Sequence, residues 1–351
     1  MNTFNLPSAE QKDVELALLA SIASNISDNG MEINSWKDLQ MVTRMGLHKQ
    51  FLKVGDALKV KYDDVDHILD VIGIDHEGGN SVTVQFRDCI VSGQFDAPEA
   101  LYYASEELPA GTHIFTLNDL KYKFTTNEVI PKGGQVYVAS WQGDTYVPTS
   151  IATYGADRTT IIESALDVTT STGDDTLTPI NNHTRCRYGS NNYMESAVRQ
   201  WLNSDEGTFV WEPQTDFDRP PTSEFPTAGF LGLVEPEFAS VISLTEKQVA
   251  RNTITDGGGQ DTLNDKVFLL SRVEVGLGSE GSTDGEVVYE FWNNSTNADR
   301  IKLLGYSPRV WWLRSPGVGF AGGVRSVSTS GVLTSYNAVN AGGLSPACTI
   351  S

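Results

Sequence analysis

The sequence of 351 residues predicts an α+β fold in two domains, residues 1–150 and residues 151–351. Three patterns predict this class. An apolar stripe at helical spacing opens the chain, short apolar blocks separated by Gly, Asp and Asn follow up to residue 150, and helical segments, long loops and strands fill the remainder. We therefore expect a mainly β N-terminal domain with an N-terminal helix, and a C-terminal domain that mixes helices and strands.

Two helices are expected before the strands. Ser8 and Gln11 can form a capping box, and apolar residues recur every three to four positions over the next fifteen residues. This stripe must be covered, either by the domain behind it or by copies of itself in an oligomer. A second, short helix over residues 34–44 has Ser35 as its cap and Gly46 as its stop.

The remainder of the N-terminal domain reads as short strands of a small antiparallel barrel or sandwich. The predicted strands are residues 51–56, 57–60, 68–74, 82–88, 112–117, 121–125 and 135–141. In the C-terminal domain, a helix begins near Tyr188 with Ser190 or Asn191 as its cap. It is followed by a Pro-rich loop at 213–226, a short helix at 236–242, a buried strand at 267–270 and a strand at 309–314.

The charge of the chain excludes some partners. The net charge is −20, from 45 acidic and 25 basic residues, and the isoelectric point is about 4.5. Binding to nucleic acid or to an anionic membrane is therefore disfavoured. The chain has no window of eighteen uncharged apolar residues and no signal-peptide pattern at its start. We expect no membrane insertion, and synthesis in a cytoplasm.

Few residues suggest catalysis or metal binding. Three distant cysteines, Cys89, Cys186 and Cys348, predict reduced, buried thiols, with a Cys186–Cys348 bridge as the alternative. His183 and Cys186 lack the second pair that tetrahedral zinc needs, and the loop Asp256–Asp261 lacks a bidentate Glu for calcium.

Acidic residues give no better indication of an enzyme. Asp96, Glu99, Glu106 and Glu107 have no partner base nearby, so we interpret them as a solvated acidic face. Nucleophile-elbow and phosphate-loop motifs are absent from the sequence. We expect no enzyme, no cofactor and no metal.

The segment from Trp311 to Ser351 combines a bulky apolar framework with Gly, Ser, Thr and Asn. Arg325 is its only charged residue after Arg314. Aromatic and small polar residues without charge are typical of binding surfaces such as antibody loops. Because neighbouring residues on a strand point to opposite faces, at most one of Trp311 and Trp312 is expected to be exposed.

The codon composition of this segment is also informative. Residues 317–351 contain no Lys, Gln, Glu, Met or Trp, the five residues that codons ending in a pyrimidine cannot encode. Random replacement of the adenines in ancestral Asn codons would explain why these five residues are absent. Chance in a Gly- and Ser-rich segment would explain it as well.

Several segments together carry a family resemblance. They are WWLRSP, VRSVSTSGVLT, PACTIS, RYGSNNYMESAVRQWLNSD, GFLGLVEPEF and DKVFLLSRVEV. The chain from about residue 150 onward resembles the variable proteins of diversity-generating retroelements and a related phage and prophage family. These proteins display a variable region on a C-type-lectin fold. Their variable regions are rich in Asn, whereas this one keeps only Asn337 and Asn340. This departure fits an already diversified copy or a relative without a diversifying element.

The resemblance implies a C-type-lectin-like domain over residues 151–351 with a variable-type segment at 317–347, and an N-terminal domain for oligomerisation and attachment. It further implies a protein of the virion, on a tail or capsid surface, made in the cytoplasm of a bacterial host. Its partners would be a host cell-surface protein or glycan, other virion proteins, and copies of itself in a homo-oligomer such as a trimer. The implied contact residues are Phe320, Ser326, Ser328, Ser330, Thr334, Ser335, Tyr336, Asn337, Val339 and Asn340. Phe320 and Tyr336 are the expected anchors, because aromatic groups dominate binding hot spots. The alternative is a structural capsid or tail decoration protein without receptor binding.

Overall fold

A computed structural model describes residues 33–351 except 118, 143–144, 156–159, 166, 170–172, 181–182, 208–227 and 281–286. The predicted helix after Ser8 and the predicted loop at 213–226 lie outside the described residues. The described part is mainly β with few helices, which confirms the β-rich part of the predicted α+β fold. No helix within it is long and apolar enough to cross a membrane.

The helices are short. They are α1 Trp36–Arg44, α2 His183–Tyr188, α3 Ala197–Leu202, α4 Phe230–Leu233 and α5 Pro236–Val241, with 3-10 turns at His48–Gln50, Glu290–Trp292 and Ala298–Arg300. The prediction for α1 is confirmed, because the Ser35 hydroxyl accepts the Asp38 N–H at 3.1 Å. Helix α1 stops just before Gly46, as predicted, and Gly46 has φ +72°. The caps predicted for the helix near Tyr188 are wrong, since Ser196 caps α3.

Twenty-two strands are described in chain order. They are β1 Ala57–Tyr62, β2 Val65–Ile74, β3 Val82–Phe86, β4 Val91–Gln94, β5 Tyr102–Tyr103, β6 Gly111–Leu117, β7 Leu120–Thr126, β8 Gln135–Gln142, β9 Thr145–Tyr154, β10 Thr160–Ala165, β11 Asp167–Val168, β12 Ile242–Ser243, β13 Thr245–Ala250, β14 Gln260–Asp265, β15 Val267–Phe268, β16 Lys302–Leu304, β17 Ser307–Arg309, β18 Trp311–Pro316, β19 Gly323–Val327, β20 Leu333–Asn337, β21 Ala341–Leu344 and β22 Ala347–Ile350. The predicted strand at 51–56 is wrong. Those residues form turns, in which the Asp56 carboxylate accepts the Lys53 N–H at 2.9 Å and Gly55 has φ +95°.

Strands from both ends of the described chain share two sheets. The first sheet has the order β1-β2-β3-β22-β12, with β15 also paired to β22. The second has the order β20-β19-β18-β21-β4. The strand that ends the chain therefore lies inside the first sheet, and β4 from the N-terminal half closes one side of the second.

The hydrophobic clusters do not divide at residue 150, where the sequence places a domain boundary. One cluster joins residues between Trp36 and Phe95 to residues between Tyr193 and Ile350. A separate cluster is formed by residues between Leu101 and Leu177, together with Cys186. The physical reason is long-range strand pairing, because β3 and β4 complete sheets whose other strands come from the C-terminal half.

All three cysteines are buried and free, as the sequence predicts. Burial raises the pKa of Cys89 and of Cys186 to about 12, and raises the pKa of Cys348 above its ordinary value. The alternative Cys186–Cys348 bridge is not formed.

Candidate functional site

The motif strand β18 is completely buried. Trp311 and Trp312 point to opposite faces and enter different clusters. The Trp311 indole donates to the carbonyl of Arg300 and the Trp312 indole to the carbonyl of Gly93, both at 2.9 Å. Neither ring is accessible to a sugar or a protein partner, so their role in this structure is to hold the second sheet.

Arg314 fixes the same strand through a buried ion-pair network. Its guanidinium donates to Glu274 at 2.5 and 3.0 Å, and Lys247 donates to the same carboxylate at 2.9 Å. Burial alone would raise the pKa of Glu274, but the two cations and hydrogen bonds from Arg314 and Ser271 lower it to about 2. The carboxylate is therefore ionised at neutral pH and lies between both buried cations. Glu77 supplies the second negative charge, because Lys247 also donates to its carboxylate at 2.7 Å.

The loop after β18 presents Phe320. Residues 317–323 form a closed turn, in which Gly317 donates its N–H to the Gly323 carbonyl at 2.7 Å. The Phe320 side chain is 42% exposed, and its ring lies over Gly323, where a Cβ atom would collide with it. The ring also contacts the ring of Tyr188, at 5.9 Å between centroids. The Phe320 ring therefore packs against Gly323 and Tyr188 on one side and remains partly exposed to solvent.

A hairpin formed by β19 and β20 continues the surface. Its turn is held by Ser328, whose hydroxyl accepts the N–H groups of Ser330 and Val332 at 3.3 and 3.2 Å. Gly331 has φ +77° and leaves no room for a Cβ atom against the backbone of Asn297. The turn therefore has a fixed shape, even though Thr329 and Ser330 are exposed.

The two expected anchors lie on opposite faces of this hairpin. Tyr336 pairs with Val324, and its ring packs 5.7 Å from the ring of Trp312. Phe320 lies over Gly323, whose pairing partner is Asn337, the neighbour of Tyr336. Because side chains alternate between faces along a strand, Phe320 and Tyr336 lie on opposite faces of the sheet, both near the end of the β19–β20 hairpin that holds Gly323 and Asn337.

The other predicted contact residues differ in exposure. Ser330 and Ser335 are exposed, whereas Ser328, Thr334, Asn337, Val339 and Asn340 are half-buried. Ser326, another predicted contact residue, is instead fully buried, and its hydroxyl has no hydrogen-bond partner among the described residues. Ser326 follows Val324 by two positions and therefore points to the same, inward face. The alternation of side chains along a strand could have predicted this burial from the sequence.

Strand β20 lies at the edge of its sheet. It is the last strand in its order, and among the described strands it pairs only with β19. No charged residue occurs from residue 326 to residue 351. The first sheet ends differently, since β1 carries the exposed lysines Lys59 and Lys61. Sheet edges are usually protected by such charges, whereas within the described residues the β20 edge has neither a second partner strand nor a charged side chain.

The acidic residues near 96–107 form two groups. Glu106 and Glu107 are exposed, but Asp96 and Glu99 are buried, so the predicted solvated face is wrong for the latter two. Asp96 accepts the N–H groups of Ser190 and Ala197, both at 3.2 Å. This carboxylate connects the region after β4 to the segment before α3.

Glu99 binds Arg185 at 2.6 Å, and Arg185 also contacts Glu195 and Asp256. Asp256 is therefore engaged in an ion pair with Arg185. The residue after it, Gly257, has φ +74°, a left-handed conformation that glycine adopts readily. In the part of the chain that the structure describes, no three His, Cys, Asp or Glu side chains are grouped as a metal site would require.

Residues 160–351 match a family described as a domain of unknown function, DUF6273. This match covers more than half of the sequence. The chain belongs to the DUF6273 family. The DUF6273 region contains β18 to β22 and every predicted contact residue, yet β3 and β4, which complete its two sheets, lie outside it. No curated protein and no solved structure matches the chain.

Proposed function

We propose that this DUF6273 protein is a virion-associated receptor-binding protein whose C-terminal domain has a C-type-lectin-like fold. The observation that carries the proposal is the contrast between β18, which is buried throughout, and the exposed, uncharged β20 edge two strands away. A binding surface needs this combination, since a rigid scaffold limits the entropy lost when side chains are ordered on binding.

Charge supports the same function. The chain has a net charge of −20, but residues 326–351 contain no charged side chain. Interfaces are depleted of charged residues at their centre and enriched in aromatic ones, and Phe320 and Tyr336 supply the aromatic groups here. The partner that fits is a protein or glycan on a host cell surface.

The C-type-lectin-like assignment is supported by the order of elements and by the segments that resemble variable proteins. Short helices at His183–Tyr188 and Ala197–Leu202 precede long connections and a run of strands that ends at Ile350. Several copies on one particle would add avidity to the affinity of a single surface. Oligomerisation through the N-terminal region belongs to this proposal.

The test is a cell-binding assay with a matched aromatic control. The protein is tetramerised through an N-terminal tag and incubated with a panel of bacterial cells and with immobilised glycans. Replacing Phe320 and Tyr336 together with Ala is expected to lower binding at least about tenfold, because each removes an anchor. The control is Tyr306→Ala, since Tyr306 is fully exposed in the turn between β16 and β17.

Thermal unfolding shows whether the double variant keeps its fold. A variant that remains folded and binds a responsive cell as well as the Tyr306→Ala control contradicts the proposal.

The alternative function, a capsid or tail decoration protein, is favoured by one observation. The uncharged β20 edge would be protected if neighbouring virion proteins paired with it. Density for a whole particle distinguishes the two, because decoration buries β20 and receptor binding leaves it outermost.

A further inference from the structure

One buried side chain from a distant part of the sequence lies at the centre of the loop at 317–323, and Thr253 and Glu280 bind the same loop at Val318. The two N–H groups of the Asn191 carboxamide donate to three carbonyls, with one N–H shared between two of them. The acceptors are the carbonyls of Gly317, Phe320 and Gly323, at 3.2, 2.7 and 2.8 Å from Nδ2. The backbone N–H of Asn191 also donates to the Ala321 carbonyl at 3.0 Å. Asn191 is fully buried, so it forms the centre around which the loop is wrapped.

The orientation of this carboxamide is determined by its neighbour Asn252. The Asn252 oxygen accepts the N–H groups of Ile254 and Thr255 at 2.9 and 2.8 Å, which leaves its nitrogen to donate. That nitrogen donates to Asn191 Oδ1 and to Asp256, both at 2.7 Å. Since backbone N–H groups can only donate, they fix both amides in one orientation.

The same segment supports the other side of the surface. The Tyr188 carbonyl accepts the Val339 N–H at 3.0 Å, and the Tyr188 ring contacts Phe320. Gly189, at φ +75°, allows the chain to turn against Ala338 without a side chain in the way. Residues 188–191 therefore contact both the 317–323 loop and the turn after β20.

We propose that Asn191 is a positioning residue for the binding surface, because its carboxamide fixes the 317–323 loop and thereby the direction of Phe320. The consequence for binding rests on the proposed function, whereas the fixing of the loop does not. A loop that is ordered before binding loses less entropy when a partner arrives, so its affinity is higher for the same contacts.

The test uses Asn191→Asp, which keeps the shape of the side chain but turns its donor into an acceptor facing three carbonyls. The adjacent Asn192→Asp is the matched control, because Asn192 Oδ1 accepts the Met194 N–H and aspartate retains that acceptor. Hydrogen exchange of the backbone amides is measured by mass spectrometry in both variants. In Asn191→Asp, residues 317–323 are expected to exchange at least about tenfold faster, while β18 and β22 match the control.

A double-mutant cycle with Phe320→Ala then examines the effect on cell binding. If Asn191 acts through Phe320, Asn191→Asp weakens binding alone but adds little to Phe320→Ala, because coupled residues are not additive. A general loss of structure would instead add to the effect of Phe320→Ala. If Asn191→Asp prevents folding, Asn191→Ala replaces it, since it removes the donor without adding charge.

Three outcomes are decisive. Faster exchange limited to 317–323 together with a non-additive loss of binding supports the inference. Exchange equal to that of Asn192→Asp overturns it, as does faster exchange with unchanged binding to a cell that Phe320→Ala fails to recognise. Should the Phe320 and Tyr336 double variant bind normally, the proposed function fails, and the exchange data still decide whether Asn191 fixes the loop.

Discussion

Strands β18 and β20 belong to the same sheet and are separated only by β19, but they face different environments. All six residues of β18 are buried, whereas no residue of β20 is. The motif strand is anchored on both faces by Trp311 and Trp312, and at its end by Arg314. Substitutions in β18 should therefore change stability, whereas the proposed function predicts that substitutions in β20 change recognition.

The largest expected effect comes from two arginines in neighbouring strands. Arg314 in β18 is buried with Glu274, whereas Arg325 in β19 is partly exposed beside Glu280. Arg314→Met leaves a buried carboxylate with Lys247 as its remaining cation and should destabilise the protein by about 3–5 kcal/mol. Arg325→Met should cost about 1 kcal/mol, as expected for an ion pair that is only partly buried. Urea unfolding measures both, and equal losses would contradict the contrast between the strands.

A pH titration sharpens the same comparison. The pKa of Glu274 is lowered to about 2 in the folded protein, from an ordinary value of 4.5. The stabilisation from its ionised form is therefore complete above pH 4.5 and is lost as the pH falls towards 2, by at most about 3 kcal/mol. Glu274→Gln should flatten this part of the stability profile while lowering stability at pH 7. A variant as acid-sensitive as the native protein between pH 4.5 and 2 would argue against this role.

The smallest expected effects lie within the hairpin turn. Gly331→Ala forces a side chain into a left-handed residue against the Asn297 backbone, so it should cost about 1–3 kcal/mol. Thr329→Ala, two residues away on the exposed side, should change stability by less than about 0.5 kcal/mol. Thermal unfolding of the pair shows whether tolerance in the hairpin is limited to its exposed positions. Comparable shifts in Tm for both would mean that the turn is not fixed by Gly331.

Local patterns in the sequence were sufficient for many elements. The cap at Ser35 and the strands β2, β3, β6, β7 and β8 follow from side-chain chemistry within a few residues. The opposite directions of Trp311 and Trp312 follow from strand geometry alone. These features need no information about the rest of the molecule.

Long-range features could not be predicted in this way. Nothing in β3 indicates that it pairs with β22, more than 250 residues later, and so the division of the cores was missed. Asp96 and Glu99 look solvated until Ser190 and Arg185 are placed beside them. The role of Asn191 was also missed, because the carbonyls that it binds belong to a loop more than 120 residues away.

The burial of the sulfur atoms has a practical consequence for probing the surface. With their pKa values raised by burial, Cys89, Cys186 and Cys348 expose no thiolate to alkylating reagents at neutral pH. A cysteine introduced at Thr329 would then be modified selectively, without removal of the native ones. A fluorophore attached there would report the arrival of a ligand at the hairpin on otherwise unaltered protein.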